Sequence, residues 1–342
     1  MTKIFGKNPT GNRLNRIKES VNYKDGAFQN LSPTPVMAED HSFRKILKDY
    51  YNKPKTTEPP RPIPSLKTDL RNLPGDGPVI VWFGHSSYLL KIDGKNILVD
   101  PVFSNSASPF PFLVKGYKGT DVFKETDFPE LDLIILTHDH YDHLDYNSIS
   151  KLKGRTKKFC VSLGVASHLE HWGIDKKVIT ELDWWQAEEI FPGMHLTSAP
   201  ARHFSGRGIL RGKTLWGSFI LKTRDYSLYL GGDSGYDTHF KQIGEKFGPF
   251  DIALLECGQY NPGWKHIHMM PEETVQASID LQAKVLLPVH WGKFTLSLHP
   301  WNDSITRAQK KAIGLNVRLT TPLIGEPVLV GSHYPEKVWW NL

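Results

Sequence analysis

Only two cysteines, Cys160 and Cys257, occur in 342 residues. They make no disulfide framework, and neither has a C-x-x-C partner for a metal. Each sits in an apolar run and reads as a buried, inert thiol, compatible with a reducing compartment. No run approaches the roughly 18 consecutive apolar residues that a membrane span needs. The opening residues MTKIFGKNPTGNRLNRIK lack an apolar signal core, so no secretion signal is expected and a cytoplasmic location is. A Walker-type phosphate loop and a G-x-S-x-G nucleophile elbow are also missing, and GGDSG at 231–235 reads as a turn after a strand. Nor is there an aromatic-interleaved basic stretch or a known RNA-reading module, so nucleic acid is not an expected partner.

What is present is a chain with 39% apolar residues, enough for one large core or two modest ones. Its charge is uneven. Residues 1–76 hold 14 Lys and Arg against 8 Asp and Glu, whereas the remainder holds 28 of each. This basic leader suggests peripheral contact with an anionic membrane, although a solvated arm would look the same. Its prolines, among them Pro54, Pro59, Pro60, Pro62, Pro64 and Pro74, predict a wrapping or linking segment over 1–77. One short helix is expected over 41–52, with Phe43, Ile46, Leu47 and Tyr50 on one face.

Order begins near Pro78. PVIVWFG, SYLLKID and KNILVD read as successive strands, with a tight hairpin turn at Asp93–Lys95. DLIILTH, KKFCVSL, MHLTSAPA, SFILKT, YSLYLGGD, DIALLECG and KVLLPVH are further strands. Helical spacing follows in DYNSISKLKGR, GVASHLEHWG and, from Pro271 to Leu281, PEETVQASIDL, whose proline and glutamates suit a helix start. Strands alternating with helices predict one α/β domain over 78–342 behind the N-terminal arm.

The densest chemistry lies in LDLIILTHDHYDHLDYNSI, where an apolar run stops at Thr137 and His138, Asp139, His140, Asp142 and His143 follow. Imidazole and carboxylate are ligands for Zn²⁺, and also for Fe or Mn²⁺. Four ligand types here exceed the three that a catalytic zinc takes from protein, which predicts a second metal. Further candidates are also released at the ends of apolar strands: His203, Asp233 and His290.

The order H-x-H-x-D-H followed by these three residues resembles the metallo-β-lactamase superfamily. The resemblance implies a four-layered αββα fold with a metal pair at one edge of its sheets. It would assign His138, His140 and His203 to one ion, Asp142, His143 and His290 to the other, and Asp233 to both. Longer segments, among them THDHYDHLDYNSI, ELDWW, LWGSF, GGDSGY, IGEKFGPFDIAL, PEET and HWGKF, are similar to the branch of phospholipases D that hydrolyse N-acyl-phosphatidylethanolamine. That branch usually has Gln-His-Trp where this chain has Arg202, His203 and Phe204, so the ligand is kept but its neighbours differ. Gly84, His85 and Ser86 are shared with the sugar-lactone hydrolases typified by ascorbate-6-phosphate lactonase.

The resemblance implies a hydrolase holding two Zn²⁺ and acting on a lipid or other small phosphodiester through a hydroxide shared by the metals, with Asp142 and Asp233 central to catalysis. The alternative is a lactonase or another carbonyl-centre hydrolase. Asp139, outside the family's ligand pattern, would orient a ligand histidine or manage a proton, with Asp145 a weaker candidate of the same kind. His268 matches a site histidine of the phospholipase branch and would be the general acid or orient substrate; its plain alternative is a loop histidine capping the next helix. Arg202, Arg207 and Arg211 could receive phosphate charge at the mouth. Trp184 and Trp185 read as packing rather than a lipid groove. A homodimer is a further assembly considered.

Overall fold

The computed structural model describes residues 2–36 and 48–342. Most of the segment expected to be helical at 41–52, including Phe43, Ile46 and Leu47, lies outside the described residues; 48–51 form one helical turn. The arm also contains helix α1 (Gly11–Glu19) and a small hairpin, β1 (Tyr23–Lys24) with β2 (Ala27–Phe28), neither of which the sequence pattern had suggested.

Two sheets carry the domain. The first has seven strands, ordered β15 (Pro327–Leu329), β3 (Val79–Trp82), β4 (Tyr88–Ile92), β5 (Lys95–Val99), β6 (Leu131–Leu136), β7 (Thr156–Ser162) and β8 (Ile179–Leu182). The second has six, ordered β14 (Leu286–Val289), β13 (Ile252–Glu256), β12 (Ser227–Leu230), β11 (Ser218–Lys222), β10 (Met194–Ala199) and β9 (Ala187–Phe191). Asp93 and Gly94 turn β4 into β5 with φ of 48° and 70°, the left-handed pair that a two-residue hairpin requires.

Period-two alternation distributes the apolar residues of the second sheet to both faces. Phe219, Leu221, Leu228, Leu230, Ile252 and Leu254 join the core shared with the first sheet. Ile220, Tyr229, Ala253 and Leu255 point the other way, beneath α4 (His239–Phe247), α5 (Pro271–Asp280) and α6 (Asp303–Leu315). On the first sheet, α2 (Tyr146–Leu152) and α3 (Ala166–His171) bury Ile149, Leu152, Ala166 and Leu169. The result is the αββα layering that the resemblance implied.

Strands β5 to β8 run parallel, as do β12 to β14, so their C-terminal ends collect at one edge. The sheets meet there. The Gly217 amide donates to the Thr137 carbonyl at 3.1 Å. A Cβ at Gly232 would lie 2.4 Å from the Gly217 carbonyl oxygen and 2.9 Å from Cβ of Thr137, so only glycine allows this approach beside Asp233.

Candidate metal centre

Each site residue emerges just past a strand at that edge: Asp100 after β5, His138 to His143 after β6, His203 after β10, Asp233 after β12, Glu256 at the end of β13, and His290 after β14. Nε2 of His138 lies 3.0 Å from Nδ1 of His140, and Nε2 of His203 lies 3.1 Å from the same atom. Together with Asp233 these histidines form one group of four converging ligand atoms; His85, Asp142, His143 and His290 form a second. Asp233 faces both. Its Oδ1 lies 3.0 Å from Nδ1 of His290 and 3.1 Å from Nε2 of His143, whereas Oδ2 lies 3.7 Å from His203 and 3.8 Å from His138.

Asp233 Oδ1, His143 Nε2 and His290 Nε2 are buried and have no hydrogen-bond partner among the described residues. A buried polar atom left unpaired costs about 1–3 kcal/mol. Several such atoms aimed at one space, with nitrogen and carboxylate chemistry, fit divalent cations.

The partners behind the histidines choose which nitrogen faces inward. Nδ1–H of His143 is paired with Asp100 Oδ2 at 2.8 Å. Nδ1 of His138 pairs with the Thr137 hydroxyl, which itself donates to Asp100. Nδ1 of His203 donates to the Ile267 carbonyl at 2.9 Å. In each case Nε2 remains for a metal. Burial holds the pKa of His138, His203 and His290 well below the ordinary value, so these imidazoles are neutral and ready to ligate. Burial lowers His85 and His140 to about 4 and raises Asp233 to about 6. Burial also opposes charge on His143, but Asp233, Asp142 and Asp100 outweigh it and hold its pKa well above normal.

His85 and His290 both adopt left-handed backbone, with φ of 53° and 65°. The His290 amide donates to the His85 carbonyl at 2.9 Å, and Nε2 of His85 reaches Asp142 Oδ2 at 3.0 Å. Such strain persists only where surrounding contacts over-determine it. His85 thus belongs to the cluster.

His268 sits at the opening with Nδ1 at 2.6 Å from Glu256 Oε2, its ring 5.1 Å from His203 and 5.2 Å from His290. Glu256 was missed, as was Asp100, although both end apolar strands as the ligands do. Two assignments need correction. Asp139 touches no ligand histidine: it accepts from the Gly206 amide and the Thr214 hydroxyl and pairs with His168. Asp145 caps α2, taking the amides of Asn147 and Ser148, and holds the Ser104 amide. Both act on loop and helix position rather than on the metal ligands.

The arginines separate in the same way. Arg207 is buried and donates to the carbonyls of Asp139, Leu144 and Ile4. Arg202 is engaged with Thr34, Pro33 and Asp237. Arg211 alone of the three is exposed, over the ring of Phe204, which packs on His140. Trp184 is buried against Trp216, and Trp185 stacks on Phe247. From the arm, Asn30 brackets His203, donating to its carbonyl and accepting from its amide.

Residues 95–291 match the β-lactamase superfamily domain. An uncharacterised protein of Mycobacterium tuberculosis is 38% identical over 330 residues, spanning 95% of this chain and 88% of that one. N-acyl-phosphatidylethanolamine-hydrolysing phospholipase D 1 of Caenorhabditis elegans is 32% identical over 227 residues, 63% of this chain and 64% of the worm protein. Among solved structures, Igni18, a metallo hydrolase of Ignicoccus hospitalis, superposes with a TM-score of 0.56 at 23% identity, covering 73% of this chain and 97% of that one. The chain belongs to the metallo-β-lactamase superfamily.

Proposed function

We propose that this metal-dependent hydrolase of the metallo-β-lactamase superfamily is a phosphodiesterase of the phospholipase D type, acting with two zinc ions on amphipathic phosphodiesters such as N-acyl-phosphatidylethanolamine. The observation that carries the reading is Asp233, whose two oxygens face two separate ligand groups. The worm relative's activity supports the choice of bond.

His138, His140 and His203 would hold one ion, Asp142, His143 and His290 the other, with Asp233 between them. Bound there, a metal pair supplies water that ionises near neutral pH and a Lewis acid for phosphoryl oxygens. The protein's own contribution is to fix and dry the site. Asp100, Thr137 and the Ile267 carbonyl set the imidazole tautomers, and burial of the ligands excludes competing water. When water adds to phosphorus and the bond to the leaving alcohol breaks, the alcohol oxygen needs a proton. His268 fits that role, since Glu256 binds its Nδ1 and leaves Nε2 at the opening.

The test is one zinc-loaded preparation offered a phospholipid panel and a lactone panel. Release of phosphatidic acid and an N-acylethanolamine is expected. Cleavage of lactones with no phosphodiester cleaved would overturn the proposal in favour of the carbonyl-centre alternative.

A further inference from the structure

Two loops flank the metal centre, and their tips are apolar. The first, residues 204–213, starts at Phe204 against His140 and is held by the Tyr141 hydroxyl, which donates to the Arg207 carbonyl at 2.6 Å. It ends outward in Ile209, fully exposed, and Leu210. The second, residues 104–118, packs Val114 on the cluster of Val102, Ala107 and Phe294, and the Phe294 ring lies 5.3 Å from His85 on the other side of the metal-ligand group. Its tip exposes Phe110, Leu113 and Phe112, the last 71% accessible. Phe5 links them: its ring meets Phe110 edge-on at 6.4 Å, and the carbonyl of neighbouring Ile4 takes the Arg207 guanidinium.

Charge at this rim has one sign. Residues 1–13, 104–118 and 204–213 together contain eight Lys and Arg and no Asp or Glu. Arg13 is spent on Glu170 and Glu181, and Arg207 is buried. The remaining six, Lys3, Lys7, Lys115, Lys118, Arg211 and Lys213, pair with no carboxylate among the described residues. Beside Phe112 a cavity of about 670 Å³ adds Arg61 to Lys115 and Lys118, while Lys53 in the same wall is paired with Glu58.

We infer that this rim is a docking face for an anionic lipid bilayer, with Phe110, Phe112, Leu113, Ile209 and Leu210 entering the interface and the cations holding headgroup phosphates. Large apolar side chains at loop tips inside a collar of one sign suit a surface that is anionic outside and apolar beneath. A nucleic acid would use the cations but leave five apolar tips in water. The contact expected of the basic arm thus falls mainly on the two loops, to which the arm contributes Lys3, Phe5 and Lys7. It would bring the metal centre's opening to the membrane.

The test is sedimentation of the metal-loaded full chain with vesicles of phosphatidylcholine, alone or mixed with phosphatidylglycerol. Capture by the mixed vesicles is expected. The I209S/L210S/F112S/L113S variant should lose it at least about tenfold while keeping its metal content and melting temperature. An I313S control, at an exposed position of α6, should bind as the parent does. No capture of the parent would overturn the inference. So would capture that the serine variant retains, which would mean plain attraction to a polyanion. A dimer of the parent that the serine variant dissolves, without vesicle binding, would assign the face to a second copy and also overturn it. Capture is read without turnover, so its outcome and that of the phosphodiester reading are separable.

Discussion

Oδ2 of Asp100 lies 2.8 Å from Nδ1 of His143. The same carboxylate takes the Thr137 amide and hydroxyl, so one buried group at the end of β5 orients the loop carrying His138 to His143. Replacing it by Asn keeps the shape but removes the charge that favours a proton on Nδ1. D100N should weaken metal binding about 10- to 100-fold, read by competition with a chelator. Unchanged affinity would show that the loop orients itself.

Asp233 offers one oxygen to each ligand group, and Asn offers only one acceptor. D233N should retain its secondary structure, bind about one metal instead of two, and lose hydrolysis of bis-p-nitrophenyl phosphate. Elemental analysis beside circular dichroism checks this; two ions retained with activity would remove the shared role.

Arg207 holds three backbone carbonyls from two segments, the loop after β6 and the N-terminal arm. Lysine keeps the charge but has no planar fork to satisfy all three. R207K should lower stability by about 2–4 kcal/mol, from carbonyls left buried and unpaired. Urea unfolding measures it, and a midpoint equal to the parent's would contradict it.

Alanine at Gly232 would drive its Cβ against the Gly217 carbonyl and Thr137. Overpacking of this kind costs about 1–3 kcal/mol. G232A should lower the melting temperature and also weaken metal binding, because the displaced segment carries Asp233. A destabilised protein with intact affinity would place the strain elsewhere.

Burial holds His239 neutral, with its pKa lowered from 6.5 to about 3. On acidification the unfolded chain binds the proton first, so stability falls as pH drops from about 6.5 towards 3, by at most about 1.4 kcal/mol per unit. H239Q should lose this part of the slope. Urea midpoints compared between pH 7 and 5 decide it; parallel slopes for parent and variant would refute it.

Much of the site could be read from chain order. His138, His140, Asp142, His143, His203, Asp233 and His290 each follow an apolar strand, and the structure brings them together. Asp100 and Glu256 carry the same signal but read in sequence only as strand ends, because one carboxylate at a strand end is common and only its neighbours in space single it out. Asp139 misled for the opposite reason: it lies within the motif in sequence, while its side chain turns away towards His168 and Gly206. Helix α6 and strands β8, β9 and β15 were not read because they are short or half-polar, and their faces are defined by the layers they cover.

What the sequence by itself determined was the alternation of strands and helices, the chemical identity of the ligands and the sign of the charge. These follow from local periodicity and residue type. Tertiary structure alone decided that six strand ends share one edge, which nitrogen each histidine turns inward, and that the segments around Phe5, Phe110 and Arg207 meet. Such facts depend on contacts between distant segments, as in the pairing of Ser86 with His290, 204 positions apart, and no local pattern encodes them.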